Sequence, residues 1–167
     1  MEHFFLLMAN EKPYCYEHPR PALTADAVIF GFDRQEERLY VLMVRRGVPP
    51  YEGQYAFPGG FVGSEETVEE ACHRELREET GIEVERLKEV GVFSDPQRDP
   101  RGRIVSVAFF GLIEKAEQEP KGSDDAASAE WVLPENLEEE LAFDHGEMLQ
   151  RGMEELDILI EHQGEGK

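Results

Sequence analysis

Basic residues are scarce in this chain of 167 residues, in which 17 Lys and Arg stand against 37 Asp and Glu for a formal net charge of −20. Affinity for long nucleic acid comes largely from Lys and Arg side chains that neutralise phosphates. The charge balance therefore argues against a nucleic-acid partner. An anionic ligand would have to be met by a few placed arginines or by metal ions.

Cysteine is nearly absent as well, with only Cys15 and Cys72 in the chain. Two such cysteines form neither a disulfide framework nor a metal-ligand spacing, which fits a reducing cytoplasm. Cys72 lies on the apolar stripe of a predicted helix. We interpret it as a small buried residue rather than as a nucleophile.

Long apolar runs are also missing. The start, MEHFFLLMAN, has five consecutive apolar residues and no basic lead, so it predicts neither a signal peptide nor a membrane span. We interpret residues 1–17 as an N-terminal extension and residues 163–167 as a frayed tail. Between them the chain is long enough for a core of its own, and we expect one domain over residues 1–167.

The pattern along the chain predicts an α/β fold in which a sheet is flanked by two main helices. Two antiparallel hairpins are expected, one from residues 18–32 and 39–46 and one from residues 84–95 and 103–115. A further strand is predicted at residues 129–134. The last helix should follow a cap at Asp144 and pack through Met148, Met153, Leu156 and Leu159.

The other predicted helix carries an unusual charge, with seven glutamates in the fifteen residues from Glu65 to Glu79. Ser64 is a candidate N-cap and Gly81 a candidate C-cap. Arg74 lies four residues from both Glu70 and Glu78, so part of the acid can be paired locally. The apolar stripe that docks the helix consists of Val68, Ala71, Cys72 and Leu76.

Local pairing does not account for Glu75, Glu78 and Glu79, which project onto adjoining sides of one turn and repel each other. Carboxylates at this spacing are hard ligands suited to Mg²⁺ or Mn²⁺. The alternative is a solvated acidic face, which is the usual explanation of a run of charges.

The spacing of the whole stretch GFVGSEETVEEACHRELREETGI, residues 60–82, resembles the Nudix box. The specified positions of that box are occupied by Gly60, Glu66, Arg74, Glu75, Leu76, Glu78, Glu79, Gly81 and Ile82. The resemblance implies a Nudix-type α/β/α sandwich around a mixed sheet made largely of antiparallel hairpins. It also implies a helix that holds a divalent metal against the diphosphate of a nucleotide substrate.

By this resemblance Glu78 and Glu79 are metal ligands for Mg²⁺, with Mn²⁺ as a possible substitute. Glu75 is either a further ligand or the base that activates water, and Arg74 orients these acids. The backbone carbonyl of Gly59 or Gly60 can complete the coordination. Family members that take the base from a distant loop leave a second candidate, which is Asp125.

Outside the box, the segments PRPALTADAVIFGF, FPGGFV, DPRGRIVSVAFF and AFDH resemble the ADP-ribose pyrophosphatase-like branch of the family. Residues 57–63, FPGGFVG, which we name the glycine loop, should allow close approach of the backbone at Gly59 and Gly60. Arg45 and Arg46 end a strand beside this loop, where they could reach a diphosphate. Arg98 and Arg101 lie in a turn and are either substrate contacts or exposed turn charges. Phe143 is either an aromatic face for adenine or a core residue.

Three functions follow from this reading. The first is hydrolysis of ADP-ribose or a similar nucleoside diphosphate sugar to AMP and a sugar phosphate. The second is hydrolysis of a nucleoside triphosphate in nucleotide-pool cleansing, and the third is a non-catalytic nucleotide sensor. The intact box argues against the sensor, and we expect a stand-alone cytoplasmic enzyme that forms a homodimer.

Overall fold

The computed structural model describes residues 17–122, 126–137 and 141–164, which form seven strands and two α-helices. None of the helices in these ranges combines the length and the apolar character that a membrane span requires. The predicted extension and tail fall mainly on residues outside these ranges. The elements are β1 (Ala22–Asp33), β2 (Arg38–Arg46), β3 (Tyr55–Ala56), β4 (Gly59–Phe61), α1 (Val68–Thr80), β5 (Lys88–Phe93), β6 (Ile104–Glu114), β7 (Ala126–Val132) and α2 (His145–Gly164).

The seven strands form one mixed sheet in the order β3-β2-β1-β6-β5, with β4 paired to β1 and β7 paired to β2. The two predicted hairpins are confirmed, because β1 with β2 and β5 with β6 are antiparallel pairs. β1 also runs parallel to β6 along nearly its whole length. This central parallel pair joins the two hairpins into one sheet.

β1 is buried on both faces and therefore contributes to two cores. Its residues Val28 and Phe30 pack in the same cluster as the apolar side of α2. Ala25, Ala27 and Ile29 point the other way and pack with α1. Successive side chains of a strand alternate between its faces, so the two helices lie on opposite faces of the sheet. The predicted α/β/α sandwich is confirmed.

The predicted N-cap of α1 at Ser64 is wrong. Thr67 is the N-cap, because its hydroxyl accepts the Glu70 N–H while the Glu70 carboxylate accepts the Thr67 N–H. This capping box satisfies two N–H groups at the helix start. Glu70 is thus committed to the cap instead of pairing with Arg74. The predicted C-cap at Gly81 is confirmed, with a φ of 70°.

The predicted packing side of α2 holds for Met148 and Leu156, which are buried, and for Met153, which packs against the same core. It is wrong at Leu159, which is 38% exposed. Its neighbour Ile160 is exposed as well, so this end of the helix has run beyond the packed core.

The predicted side-chain cap at Asp144 is also not what the structure contains. Asp144 does precede α2, and its backbone carbonyl accepts the N–H groups of Glu147 and Met148. Its carboxylate, however, accepts two hydrogen bonds from Arg98. The carboxylate of Asp144 is therefore bound by Arg98, which is distant in the sequence, and does not cap the helix.

A glycine in α2 allows the helix to lie close to β1. A Cβ added at Gly152 would stand 2.6 Å from Cγ1 of Val28, whereas a Cβ at Gly146 would meet nothing within 4 Å. We expect Gly152→Ala to lower the free energy of unfolding by about 1–3 kcal/mol, because the core must shift to admit the methyl group. Gly146→Ala, in the same helix, should be neutral or slightly stabilising. Urea unfolding measures both, and equal effects would contradict this packing argument.

Candidate active site

A cavity of about 590 Å³ opens where β1, β2, the glycine loop, α1 and the start of α2 meet. Its floor includes Thr24 and Asp26 of β1. One wall carries acids from α1, and the other carries arginines from β2 and from the loop between β5 and β6. The cavity therefore gathers residues from elements that are far apart in the sequence.

Arg74 is the centre of the acidic wall. Its guanidinium donates to both carboxylate oxygens of Glu66 at 2.9 and 2.6 Å, and to Glu75 at 2.6 Å. It also reaches Glu78 at 3.2 Å and the backbone carbonyl of Phe61 at 3.1 Å. Arg74 thus contacts three of the box glutamates, which is the arrangement that an orienting residue requires.

Glu66 fixes the loop that leads into the helix. Its carboxylate accepts the Gly63 N–H at 2.7 Å in addition to the two bonds from Arg74. These bonds, first that from Arg74 and then that from Gly63, lower the pKa of Glu66 to about 2. Glu66 therefore stays ionised and steadies the loop, as its place in the box predicts.

Glu79 is the acid that Arg74 does not neutralise. Its Oε2 accepts the N–H of Gly59 at 2.9 Å. Burial raises the pKa of Glu79 to about 7, and the negative charges of Glu75 and Asp26 raise it further against the opposing effect of the Gly59 bond. A carboxylate in this position lacks a positive partner.

The two glycines before the helix let the backbone approach these acids. A Cβ at Gly60 would stand 2.5 Å from Oε1 of Glu75, and a Cβ at Gly59 would stand 2.3 Å from the carbonyl oxygen of Ala25. A side chain at Gly59 would clash with backbone atoms of β1, and one at Gly60 would displace the carboxylate of Glu75. The predicted close approach of the loop is confirmed.

The opposite wall contains two arginines that share one aromatic ring. The guanidinium carbon of Arg46 lies 4.9 Å and that of Arg101 lies 5.3 Å from the ring centroid of Phe143. Burial, and then the nearby Arg101 charge, lowers the pKa of Arg46. The structure therefore brings together three of the five residues predicted to bind substrate.

The other two, Arg45 and Arg98, also border the cavity, but their guanidiniums are engaged elsewhere. Arg45 lies 3.9 Å over the ring of Tyr55 and donates to the carbonyl of Gly53. Arg98 is buried and donates two hydrogen bonds to Asp144. Their predicted contact with substrate stays a prediction.

The two remaining predicted site residues are Glu78 and Asp125. Glu78 is turned toward Arg74 with 56% of its side chain exposed. Asp125, the alternative base, lies outside the described residues. The choice of base between Glu75 and Asp125 therefore stays open.

Sequence reasoning missed a buried polar cluster at the floor of the cavity. Asp26 accepts a hydrogen bond from the hydroxyl of Ser106, and its other oxygen lies 3.8 Å from Nε2 of His145. Nδ1 of His145 accepts the N–H of Phe57 at 2.9 Å, and burial lowers the pKa of this histidine. Asp26 is a single charged residue within the apolar sequence of β1. That charge in a strand expected to be buried was the signal that could have revealed the cluster.

The donor set of the acidic wall fits a hard divalent cation. Glu75, Glu79 and Asp26 bring carboxylates to one cavity. The raised pKa of Glu79 reflects burial first and neighbouring negative charge second, and a bound cation would offset the cost of both. The absence of side chains at Gly59 and Gly60 keeps this wall open. Among the described residues, however, no three acidic, histidine or cysteine side chains converge at coordination distance.

The sandwich fold, the glycine loop and the acidic helix define the Nudix class. The NUDIX domain model matches residues 20–152, so the chain belongs to this family and is a Nudix hydrolase. It is 40% identical over 129 residues to the ADP-ribose pyrophosphatase of Methanocaldococcus jannaschii, covering 77% of this chain and 71% of that protein.

Two further similar proteins are also described with ADP-ribose. The chain is 37% identical over 145 residues to the ADPR responsive transcriptional repressor NtrR of Acinetobacter baylyi, covering 84% of this chain but 56% of the repressor. The NUDIX domain of Shewanella oneidensis NrtR, crystallised with ADP ribose, superposes with a TM-score of 0.77 at 28% identity. That match covers 93% of this chain and 99% of the domain.

The charge of Glu79 should make stability depend on pH when no divalent cation is present. The folded pKa of Glu79, about 7, lies above the usual 4.5, so the folded protein binds this proton more tightly than the unfolded chain does. The stability that the proton contributes is fully present below pH 4.5 and is lost as the pH rises through 7. We expect Glu79→Gln to raise the free energy of unfolding at pH 8 by about 1–2 kcal/mol, and much less at pH 5.

Urea unfolding in chelator at the two pH values measures this difference. Glu85→Gln makes the same chemical change at an exposed residue and serves as the control. A gain in stability that is equal at both pH values would contradict the assigned cause.

Proposed function

We propose that this Nudix hydrolase cleaves the diphosphate linkage of ADP-ribose, or of a similar nucleoside diphosphate sugar, into AMP and a sugar phosphate. The observation that carries the proposal is the division of the cavity into an acidic wall on α1 and an arginine wall around Phe143. A diphosphate needs both, because its oxygens can be shared between cations held by acids and guanidiniums.

The arginine wall matters because the chain as a whole repels anions. With a net charge of −20, the long-range field opposes the approach of a nucleotide. Arg46 and Arg101 place positive charge at the cavity itself, where it acts over short distances and partly away from water. We propose that these two residues bind the diphosphate and that Phe143 positions both of them.

The relatives support the same substrate. The archaeal relative is named for hydrolysis of ADP-ribose, and the superposed Shewanella domain was crystallised with that ligand. The first is 40% identical to this chain and the second 28% identical. ADP-ribose is therefore the first substrate to test.

In the proposed mechanism Glu75, Glu78 and Glu79 would hold a divalent cation, Mg²⁺ or Mn²⁺, together with the carbonyl of Gly59. Glu78, which faces Arg74 in the structure, would have to turn toward the cavity to do so. When bound, such a cation neutralises phosphoryl oxygens and lowers the pKa of water. Water oxygen bonds to phosphorus, the bond to the bridging oxygen breaks, and the two phosphates separate. The base that takes the proton from water is Glu75 or Asp125.

The residues around these acids serve to place them. Arg74 holds Glu75 through a bond of 2.6 Å, and the Gly59 N–H holds Glu79 through a bond of 2.9 Å. Both contacts come from backbone or side-chain donors that are themselves fixed by the fold. Preorganised groups of this kind contribute to catalysis because they need not reorient during the reaction.

A second function is favoured by one relative. The Acinetobacter protein is named as a repressor that responds to ADPR, so a chain of this kind could bind the ligand without turning it over. The complete box, with Arg74, Glu75, Glu78 and Glu79 all present, favours the hydrolase. Turnover separates the two.

The proposal predicts a product pattern. On incubation with Mg²⁺, ADP-ribose should give AMP and a sugar phosphate faster than dinucleotides or nucleoside triphosphates do, because the similar proteins are named for or crystallised with ADP-ribose. Chromatography of the products measures this. Pyrophosphate released fastest from a triphosphate would replace the proposal by nucleotide-pool cleansing, and tight binding of ADP-ribose without any product would replace it by the sensor.

The acids of α1 should be required for turnover and dispensable for folding. We expect Glu79→Gln and Glu78→Gln to lower kcat by about a hundredfold or more, since each removes a carboxylate from the proposed cation site. Steady-state kinetics with Mg²⁺ measures the change, with Glu85→Gln as the control. Wild-type turnover in both variants would exclude the assigned ligands.

The predicted homodimer and the cytoplasmic location stay predictions.

A further inference from the structure

Two segments that are distant in the sequence meet at the mouth of the cavity. One is the loop between β5 and β6, residues 94–103, which we name the arginine loop. The other is the segment 142–145 at the start of α2, which we name the α2 entry. Arg98 in the first and Asp144 in the second are 46 residues apart in the chain and in direct contact.

The contact is a buried two-bond ion pair. Nε and Nη2 of Arg98 donate to the two carboxylate oxygens of Asp144 at 2.8 and 2.6 Å. The Arg98 side chain is 4% exposed and that of Asp144 is 19% exposed. A planar guanidinium on a carboxylate fixes orientation as well as distance, since both bonds must form together. This pair therefore works as a clasp between the two segments.

The arginine loop presents Arg101 to the cavity. Asp99, which is buried, accepts the Arg101 backbone N–H at 2.9 Å and both Nε and Nη2 of its guanidinium. The guanidinium carbon lies 5.4 Å from the ring centroid of Phe61 and 5.3 Å from that of Phe143. Arg101 is thus rigid with respect to its own loop, and the position of the loop decides where its charge lies.

The α2 entry is held by other elements than the arginine loop is, namely by β3 and the segment that follows it. The Ala142 N–H donates to the carbonyl of Tyr55 at 2.7 Å, and His145 accepts the Phe57 N–H at 2.9 Å. Phe143, between them, has a φ of 54°, a conformation that the flanking contacts maintain. The α2 entry therefore belongs to the β3 and glycine-loop side.

We propose that Arg98 and Asp144 are positioning residues for substrate binding: their clasp holds the arginine loop against the α2 entry and so sets Arg101 at its place beside Phe143 and Arg46. The inference rests on the proposed function, in which Arg101 binds the diphosphate. In this proposal Arg98 does not touch the substrate, because its side chain is only 4% exposed and paired with Asp144, whereas that of Arg101, although paired with Asp99, is 40% exposed. It acts through Arg101.

Arg98→Lys is the sharpest variant, because lysine keeps the charge but cannot make the two parallel bonds. We expect the KM for ADP-ribose to rise about tenfold and kcat to stay within about twofold, since binding is altered and the acids of α1 are not. Arg34→Lys is the matched control. Arg34 makes the same two-bond contact with Glu114, at 2.8 Å for each bond, on the exposed far end of β1 and β6.

A double-mutant cycle tells positioning from general stability. If the clasp acts through Arg101, then Arg101→Met raises KM by itself and adding Arg98→Lys raises it no further. Equal effects of Arg98→Lys with and without Arg101 would overturn the proposal, as would a loss confined to kcat or an unchanged KM. Circular dichroism confirms that each protein is folded. Should Arg98→Lys fail to fold, Asp144→Asn, which keeps one acceptor oxygen, takes its place in the cycle.

The proposed function and the clasp can fail separately. Inactivity of the wild-type protein toward ADP-ribose would refute the first, and the same proteins are then compared by calorimetric binding of AMP. Weaker binding in Arg98→Lys that depends on Arg101 supports the clasp. Equal affinity in all variants, or no binding by the wild type, overturns it.

Discussion

The candidate site depends on the hydrogen bonds of one guanidinium, that of Arg74 on the acidic helix α1. Arg74 joins Glu66, Glu75 and Glu78 to each other and reaches the backbone of the loop at Phe61. Arginine can do this because its planar fork carries five N–H donors and stays charged at any ordinary pH. Through this contact the loop, the helix and the acids hold one geometry. The repulsion that the sequence implies among Glu75, Glu78 and Glu79 is thereby reduced at the first two.

The same arrangement leaves Glu79 unneutralised, and this asymmetry gives the site its chemical character. The buried carboxylate is held by the Gly59 N–H, and its pKa is raised by burial and by negative neighbours. Across the cavity, Arg46 and Arg101 supply positive charge around Phe143. In the proposed function, a small cation on one side and guanidiniums on the other would make a place for a diphosphate in a chain whose net charge opposes anions.

The local parts of this protein could be read from the sequence because they depend on neighbours along the chain. Strand alternation predicted both hairpins, the helical stripe predicted the docked face of α1, and the box spacing predicted its acids. Ser64 failed as the N-cap because Thr67 forms a capping box with Glu70. Leu159 failed as a core residue because periodicity continues past the point where the helix leaves the core.

The sequence by itself determined the two antiparallel hairpins, the close approach of the glycine loop and the presence of an acidic helix with Arg74 among its glutamates. Only the tertiary structure decided which of the predicted arginines share a wall of the cavity, and it brought Arg98 to Asp144 across 46 residues. It also decided that Asp26 and His145 meet at the floor. Spacing along a chain carries information about one helix or strand, whereas pairs of charges from different elements meet only after the sheet has closed between them.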